Sequence, residues 1–209
     1  MKRQAASPRS EAKAETHERI LESAARLMRR HGLAATSVLD VMRGAGLTAG
    51  GFYAHFRSKS LMDAEVLKTT LASIHARWLD GAEASGWLAG VVKRYLSAAH
   101  RDAPEEGCPI PAVLSEVARA GEETRAVMRE AFARAAGAIG EHAPETPGVT
   151  PRERALATLA LCVGGLAVAR ALRGTPESDE VLRACRKWAL PEERPRRRRV
   201  VRSRRPSAP

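Results

Sequence analysis

The stretch TSVLDVMRGAGLTAGGFYAHFRSKS, residues 36–60, constrains this chain more than any other. It reads as two short helices joined by a tight turn, followed by the capped start of a third. Ser37 and Asp40 form a capping-box-like start, in which a side-chain oxygen meets N–H groups that a helix N-terminus leaves unpaired. Val38, Val41, Met42 and Ala45 then recur at helical spacing. Gly44 and Gly46 supply the backbone freedom of a sharp reversal, Leu47 fills the corner, and Thr48 caps a second, very short helix. Phe52 and Phe56 lie four residues apart, so they share one face and can anchor that helix to a core. Tyr53 and His55 point elsewhere. Ser58 starts a third helix with Lys59 in its first turn, where a cation is unfavourable unless an anion waits outside. The arrangement predicts a helix-turn-helix that presents a short helix to DNA.

The rest of the chain is alanine-rich with helical rather than alternating periodicity, so the expected fold is all-α with about nine helices. Neither a membrane span nor a signal peptide is expected. Three isolated cysteines without CxxC spacing fit a reducing cytoplasm, and six scattered histidines offer no metal-ligand pair. The net charge of +11 is uneven: +6 lies in residues 191–209 and +3 in residues 1–14, which leaves +2 for the body between them. High basicity is therefore weak evidence for nucleic acid, and the helix-turn-helix carries the argument instead. GAGLTAG superficially resembles a phosphate-binding loop, but it follows a helical pattern and lacks the Lys-Ser/Thr pair. No nucleophile-base or paired-carboxylate motif points to an enzyme, and no cofactor is expected.

Along the chain, the periodicity predicts helices over about 15–30, 59–80, 87–100, from Cys108–Pro109 onward, and 122–142, with two more after the linker PETPGVTP. Residues 1–13 read as a flexible basic arm, and RPRRRRVVRSRR with its flanking prolines reads as a disordered Arg-rich tail over 191–209. That tail either adds sequence-independent attraction to phosphates or is a solubilising extension.

Residues 14–74, with the amphipathic helix ending at His31-Gly32, the AGLTAGGFYAHF stretch and the SKSL start, closely resemble the N-terminal domain of TetR-family transcriptional repressors. The resemblance implies a DNA-binding head over 14–74, with its helix-turn-helix at about 37–56, and a ligand-binding and dimerisation domain over 75–190. It implies a cytoplasmic homodimer that represses by reading a palindromic operator on double-stranded DNA, and that a small-molecule effector releases. A chiefly non-specific basic DNA-binding protein is the alternative. No membrane partner is implied.

Phosphates set affinity and base edges set specificity. Thr48, Tyr53, His55 and Lys59 match positions that touch the DNA backbone in the family resembled. Ala49, Gly50 and Gly51 occupy the turn that would enter the major groove, where apolar contact with a thymine methyl replaces a bidentate guanine contact. Ser37 and Arg43 are expected to assist from the preceding helix. Candidate effector residues are His75, Trp78, Trp87, Tyr95, Cys108, Met128 and Phe132. Cys108, at a helix start, is either a thiol that senses oxidants or electrophiles or a small buried cap residue. The expected dimer interface uses Leu156, Leu159, Val163 and Leu166 from one helix and Val181, Cys185 and Trp188 from the next.

Overall fold

The computed structural model describes residues 8–79 and 86–190, and the expectations placed on the first residues, the 80–85 segment and the Arg-rich tail lie outside them. Within these residues there are nine α-helices: α1 (Pro8–His31), α2 (Val38–Gly44), α3 (Lys59–Trp78), α4 (Trp87–Tyr95), α5 (Ala98–Asp102), α6 (Ile110–Val117), α7 (Glu122–Glu141), α8 (Pro151–Ala171) and α9 (Pro176–Ala189). Two short 3-10 helices, Ala49–Ala54 and Pro104–Glu106, complete the described residues' helical content.

α1 begins well before the expected Glu15. Glu11 lies in its first turn, where a negative charge favours the helix, so residues 8–13 belong to α1 rather than to an arm. It ends at Gly32, whose φ of +85° lies in the left-handed region that glycine adopts freely. α2 starts at Ser37, whose Oγ accepts from the Asp40 N–H as expected, and the turn after it uses Gly46 at φ +72°. α3 is capped by Ser58, which accepts from the Leu61 N–H. Ile20, Ala24 and Met28 of α1 meet Val41, Met42, Phe52 and Phe56 in the core of the head.

α3 carries this core onward, since Val66, Leu67, Leu71, Ile74 and Trp78 are buried along one face and pack chiefly against α7. α7, α8 and α9 form the body's main stack, with α8 and α9 in the most extensive contact. A full capping box opens α8, Thr150 accepting from the Glu153 N–H while Glu153 accepts from Thr150. By length and composition α8 could cross a membrane. Ala155, Thr158, Cys162, Leu166 and Ala169 nevertheless turn inward, which is the face of a core helix.

Two helix boundaries depart from expectation. The helix expected over 87–100 is broken after Tyr95, because Ser97 accepts from the His100 N–H and caps a new helix, α5. The helix expected from Cys108 begins at Ile110 with Pro109 as its N-cap, so Cys108 lies just outside it.

Of the two adjacent glycines in α8, Gly165 lies at a helix contact. A Cβ there would sit 2.6 Å from Cys185 Sγ and 3.2 Å from Leu96 Cδ2, whereas Gly164 faces open space. Gly165→Ala is expected to wedge α8 from α9 and to destabilise by about 1–3 kcal/mol. Urea melts would read it as a lower midpoint, with Gly164→Ala as the neutral comparison.

Candidate functional site

The exposed face of the head is built on a buried one. Phe52 is 0% exposed and stacks on Phe56 with ring centroids 5.4 Å apart, which pins the segment Ala49–Ala54 to α1 and α2. The next residue, Tyr53, is 76% exposed and meets Phe52 edge-on at 5.3 Å. Ala49 and Gly50 are exposed beside it, while Gly51 is half-buried against Met42. The segment is a 3-10 helix of six residues rather than an α-helix. Two consecutive glycines disfavour the α-helix, and a 3-10 turn suits so short a piece. Thr48 is the N-cap residue, but its side chain makes no capping bond, contrary to expectation, and is exposed.

The other head candidates are tied to neighbours. Ser37 Oγ accepts from the Asp40 N–H and donates to Asp40 Oδ2, so capping occupies its hydroxyl. Arg43 is exposed and 3.7 Å from Asp40. His55 lies 5.8 Å from the His17 ring, and its Nδ1 is buried without a hydrogen-bond partner among the described residues. Burial first, then His17 and Lys13, hold its pKa below the ordinary value. His17 stacks on Phe56 at 4.7 Å and approaches Glu65 to 2.8 Å.

Lys59 differs from expectation. Its Nζ donates to Leu33 O at 2.8 Å and pairs with Asp63 at 2.7 Å, so the charge at the start of α3 is met from inside the protein. Beside this pair, Glu116 at the end of α6 accepts from the Leu33 and Ala34 N–H groups beyond α1. Burial pushes the Asp63 carboxyl up, against the pull of Lys59, and Glu116 adds to the push. Head and body are thus joined through the Gly32–Ala34 backbone.

At the other end of α6 lies a cavity of about 60 Å³. His75, Trp78, Tyr95 and Cys108, four of the predicted effector residues, line it. The other three do not. Trp87 packs against His142 at 4.6 Å, Met128 is buried in the core of α7, and Phe132 is half-buried against that core. Sequence reasoning missed Thr158, on the inward face of α8, and Cys162 one turn along. The signal was a hydroxyl among inward alanines and leucines at helical spacing.

Among the described residues Thr158 Oγ1 lacks a hydrogen-bond partner, and Tyr95 Oη has only the Cys108 thiol, a weak partner, within reach. Burial first, then Cys108, push the Tyr95 phenol well above its ordinary value. Cys108 is 3% exposed, and burial pushes its thiol up in spite of Tyr95, the Ile110 backbone and two arginines that favour the thiolate. A low-pKa reactive thiol is not what this environment produces. Burial also pushes Cys162 up to about 12.

A buried histidine closes the wall from behind. His100 Nδ1 lies 2.7 Å from Tyr95 O, while its Nε2 accepts from the Cys108 N–H at 3.0 Å. Gly107 is required here, because a Cβ would collide with the imidazole. Trp78 and Tyr95 meet the ring edge-on at 4.6 and 4.8 Å.

The predicted interface residues divide by burial. Val163 and Leu166 belong to the protomer's own core, since α9 and α7 cover that side of α8, so they offer no surface to a partner. Leu159, Val181 and Cys185 are half-buried. Leu156 at 43%, Val168 at 47% and Trp188 at 74% are exposed apolar side chains on the outer faces of α8 and α9.

Residues 20–63 match the sequence profile of the bacterial regulatory proteins, tetR family. Over 61 residues the chain is 43% identical to the HTH-type transcriptional repressor KstR2 of Mycobacterium tuberculosis, a match that covers 29% of this chain and 30% of that protein. The chain thus matches less than a third of that relative's length. The fold is shared more widely. A TetR-family regulator from Agrobacterium tumefaciens superposes with a TM-score of 0.71 at 19% identity, covering 84% of this chain and 97% of that one. AibR, solved with isovaleryl coenzyme A and operator DNA, superposes with a TM-score of 0.60 at 16% identity, covering 82% and 96%. Residues 20–63 thus match a TetR-family head, and the described residues share the all-α fold of solved TetR-family regulators.

Proposed function

We propose that this chain is a DNA-binding transcriptional repressor that grips a palindromic operator as a homodimer and is released by a small molecule in the body. The observation that carries the reading is the pairing of neighbours in the head, Phe52 wholly buried and Tyr53 exposed on a segment too short to fold for its own sake. A rigid inner ring and a free outer phenol suit a surface that meets phosphates. Tyr53, the exposed Thr48 hydroxyl and His55 supply neutral donors around Ala49, Gly50 and Gly51, which enter the groove. Arg43 flanks them, while Lys59, its charge met by Asp63 and Leu33 O, braces the start of α3 beside them. Ser37 contributes by fixing α2 rather than by touching DNA.

The exposed apolar faces of α8 and α9 support a homodimer through Leu156, Val168 and Trp188, with Leu159, Val181 and Cys185 at the margin. α6 supports the regulatory link, since it runs from the cavity wall at Ile110 to the junction at Glu116, about 9 Å at the usual helical rise. An occupant that binds better when α6 is displaced would bias the spacing of the two heads. The names of relatives point the same way: KstR2 is a repressor and AibR was solved with an acyl thioester and operator DNA. A cytoplasmic location follows from this reading. The environment of Cys108 gives no support to a thiol-sensing variant.

Footprinting on the gene's own upstream region, then fluorescence anisotropy on the protected fragment, tests the proposal. Tyr53→Ala removes one phosphate contact per protomer, so a loss of roughly 30-fold in affinity is expected at fixed salt, about 1 kcal/mol per contact. The melting temperature is expected to stay put. Unchanged affinity, or equal affinity for random DNA competitor, overturns the operator reading in favour of non-specific coating.

A further inference from the structure

The reading of the body as an effector domain leaves the effector's chemistry open, and the cavity wall narrows it. Among the described residues no Lys, Arg, Asp or Glu lines the cavity; its surface is made by Leu71, Ile74, Leu88, Val92 and similar side chains. Arg170 acts on Tyr95 and Cys108 from behind the wall and donates to His100 O. Set into this apolar surface are two buried hydroxyls, Thr158 (1% exposed), without a partner among the described residues, and Tyr95 (8% exposed), which has only the weak Cys108 thiol within reach. Buried hydroxyls are ordinarily well paired, so one orphan and one weakly paired hydroxyl in the wall of a single apolar cavity mark places where a ligand's polar atom completes the wall. An anion entering would lose its hydration without a countercharge, a loss that a neutral hydroxyl or carbonyl avoids.

We propose that the cavity takes a small uncharged molecule, mostly hydrocarbon, whose single hydroxyl or carbonyl hydrogen-bonds Tyr95 Oη or Thr158 Oγ1, and that it rejects carboxylates and coenzyme A thioesters. This rests on the effector-domain reading. Size points in the same direction, because about 60 Å³ is well below the volume of common drug-sized sites and even a six-membered ring must part the walls. A nucleotide-bearing ligand would have no charged partner in the wall.

Titration calorimetry and thermal shift of the full chain with phenol, toluene and benzoate test it. Phenol and toluene have nearly the same shape and differ in the hydroxyl, whereas benzoate adds the charge. Phenol is expected to bind roughly 10-fold tighter than toluene, and benzoate at least 10-fold weaker than phenol. Tyr95→Phe and Thr158→Val remove the two hydroxyls while keeping shape. The pair together are expected to abolish the preference for phenol over toluene while toluene still binds. Both variants are expected to melt no lower than the parent chain, so misfolding does not obscure the result.

Benzoate binding that matches phenol would assign the cavity to anions and overturn the ligand class while leaving the effector reading intact. If none of the three probes binds, the ligand class fails, and the DNA-binding reading is still judged separately by Tyr53→Ala. A preference for phenol that survives both substitutions would also overturn the assignment.

Discussion

Phe52→Ala is expected to destabilise the chain by about 3–5 kcal/mol and to abolish specific DNA binding, although Phe52 itself can touch no DNA. Its ring is fully buried, stacks on Phe56 and meets Tyr53 edge-on at 5.3 Å. The segment Ala49–Ala54 has only local 3-10 bonds and two glycines to hold its shape, so its position depends on that ring. Truncation leaves a cavity bounded by α1 and α2, which can collapse only by moving the turn that carries Tyr53. A fall in melting temperature of roughly 10 °C is expected for a chain of this size. Tyr53→Ala is expected to leave the melt within about 0.5 kcal/mol of the parent while losing affinity, since it is a surface change. Differential scanning calorimetry beside anisotropy separates the two variants. If Phe52→Ala melts like the parent chain, the buried-anchor account of the head is wrong.

That contrast explains why the head was legible in the sequence and the body was not. Caps at Ser37 and Ser58, the turn at Gly46 and the spacing of Phe52 and Phe56 are all local, so adjacent residues determine them. Lys59 misled because its partner Leu33 O lies 26 residues away, and only the folded chain brings that carbonyl to it. In α8 the sequence is apolar on every side, so periodicity could not say which apolar face turns inward. Packing on α7 and α9 decides it: Val163 and Leu166 turn in, and Leu156 and Val168 turn out. The cavity draws on α3, α4, the start of α6, α7 and α8, and no window of sequence contains that convergence. Trp87 and Phe132 had the right chemistry and the right spacing, but they lie outside its wall. The break at Ser97 was available to sequence, as a hydroxyl in a run of helix formers, and it decides where His100 goes.

Acidification is expected to reveal His100. Its two ring nitrogens are both used, Nδ1 toward Tyr95 O and Nε2 as acceptor from the Cys108 N–H, which defines a neutral imidazole with its proton on Nδ1. A second proton would remove the acceptor and set a charge among buried rings, with Arg170 and Arg77 adding repulsion. Burial chiefly, against the pull of the Tyr95 carbonyl, brings its pKa from 6.5 down to about 4. Because the unfolded chain takes up this proton at the higher pH, stability is complete above about 6.5 and falls as pH drops towards 4. The loss is roughly 3 kcal/mol across that window, since each pH unit between the two values is worth about 1.4 kcal/mol. Glu122, Glu153 and Glu177 have pKa values lowered by hydrogen bonds, so their contributions are lost at more acidic pH and do not imitate the upper part of the slope. His100→Gln keeps an acceptor for the Cys108 N–H but cannot titrate. Its urea midpoint is therefore expected to fall less steeply than the parent's from pH 6.5 to 5, the slope they share including His55, whose pKa is also lowered from 6.5. Parallel curves for the two chains would mean that the Tyr95–His100–Cys108 link does not hold the cavity wall in the way its geometry implies. A converging pair would locate the acid sensitivity of the body in one imidazole, held against the Gly107 backbone where no side chain could fit.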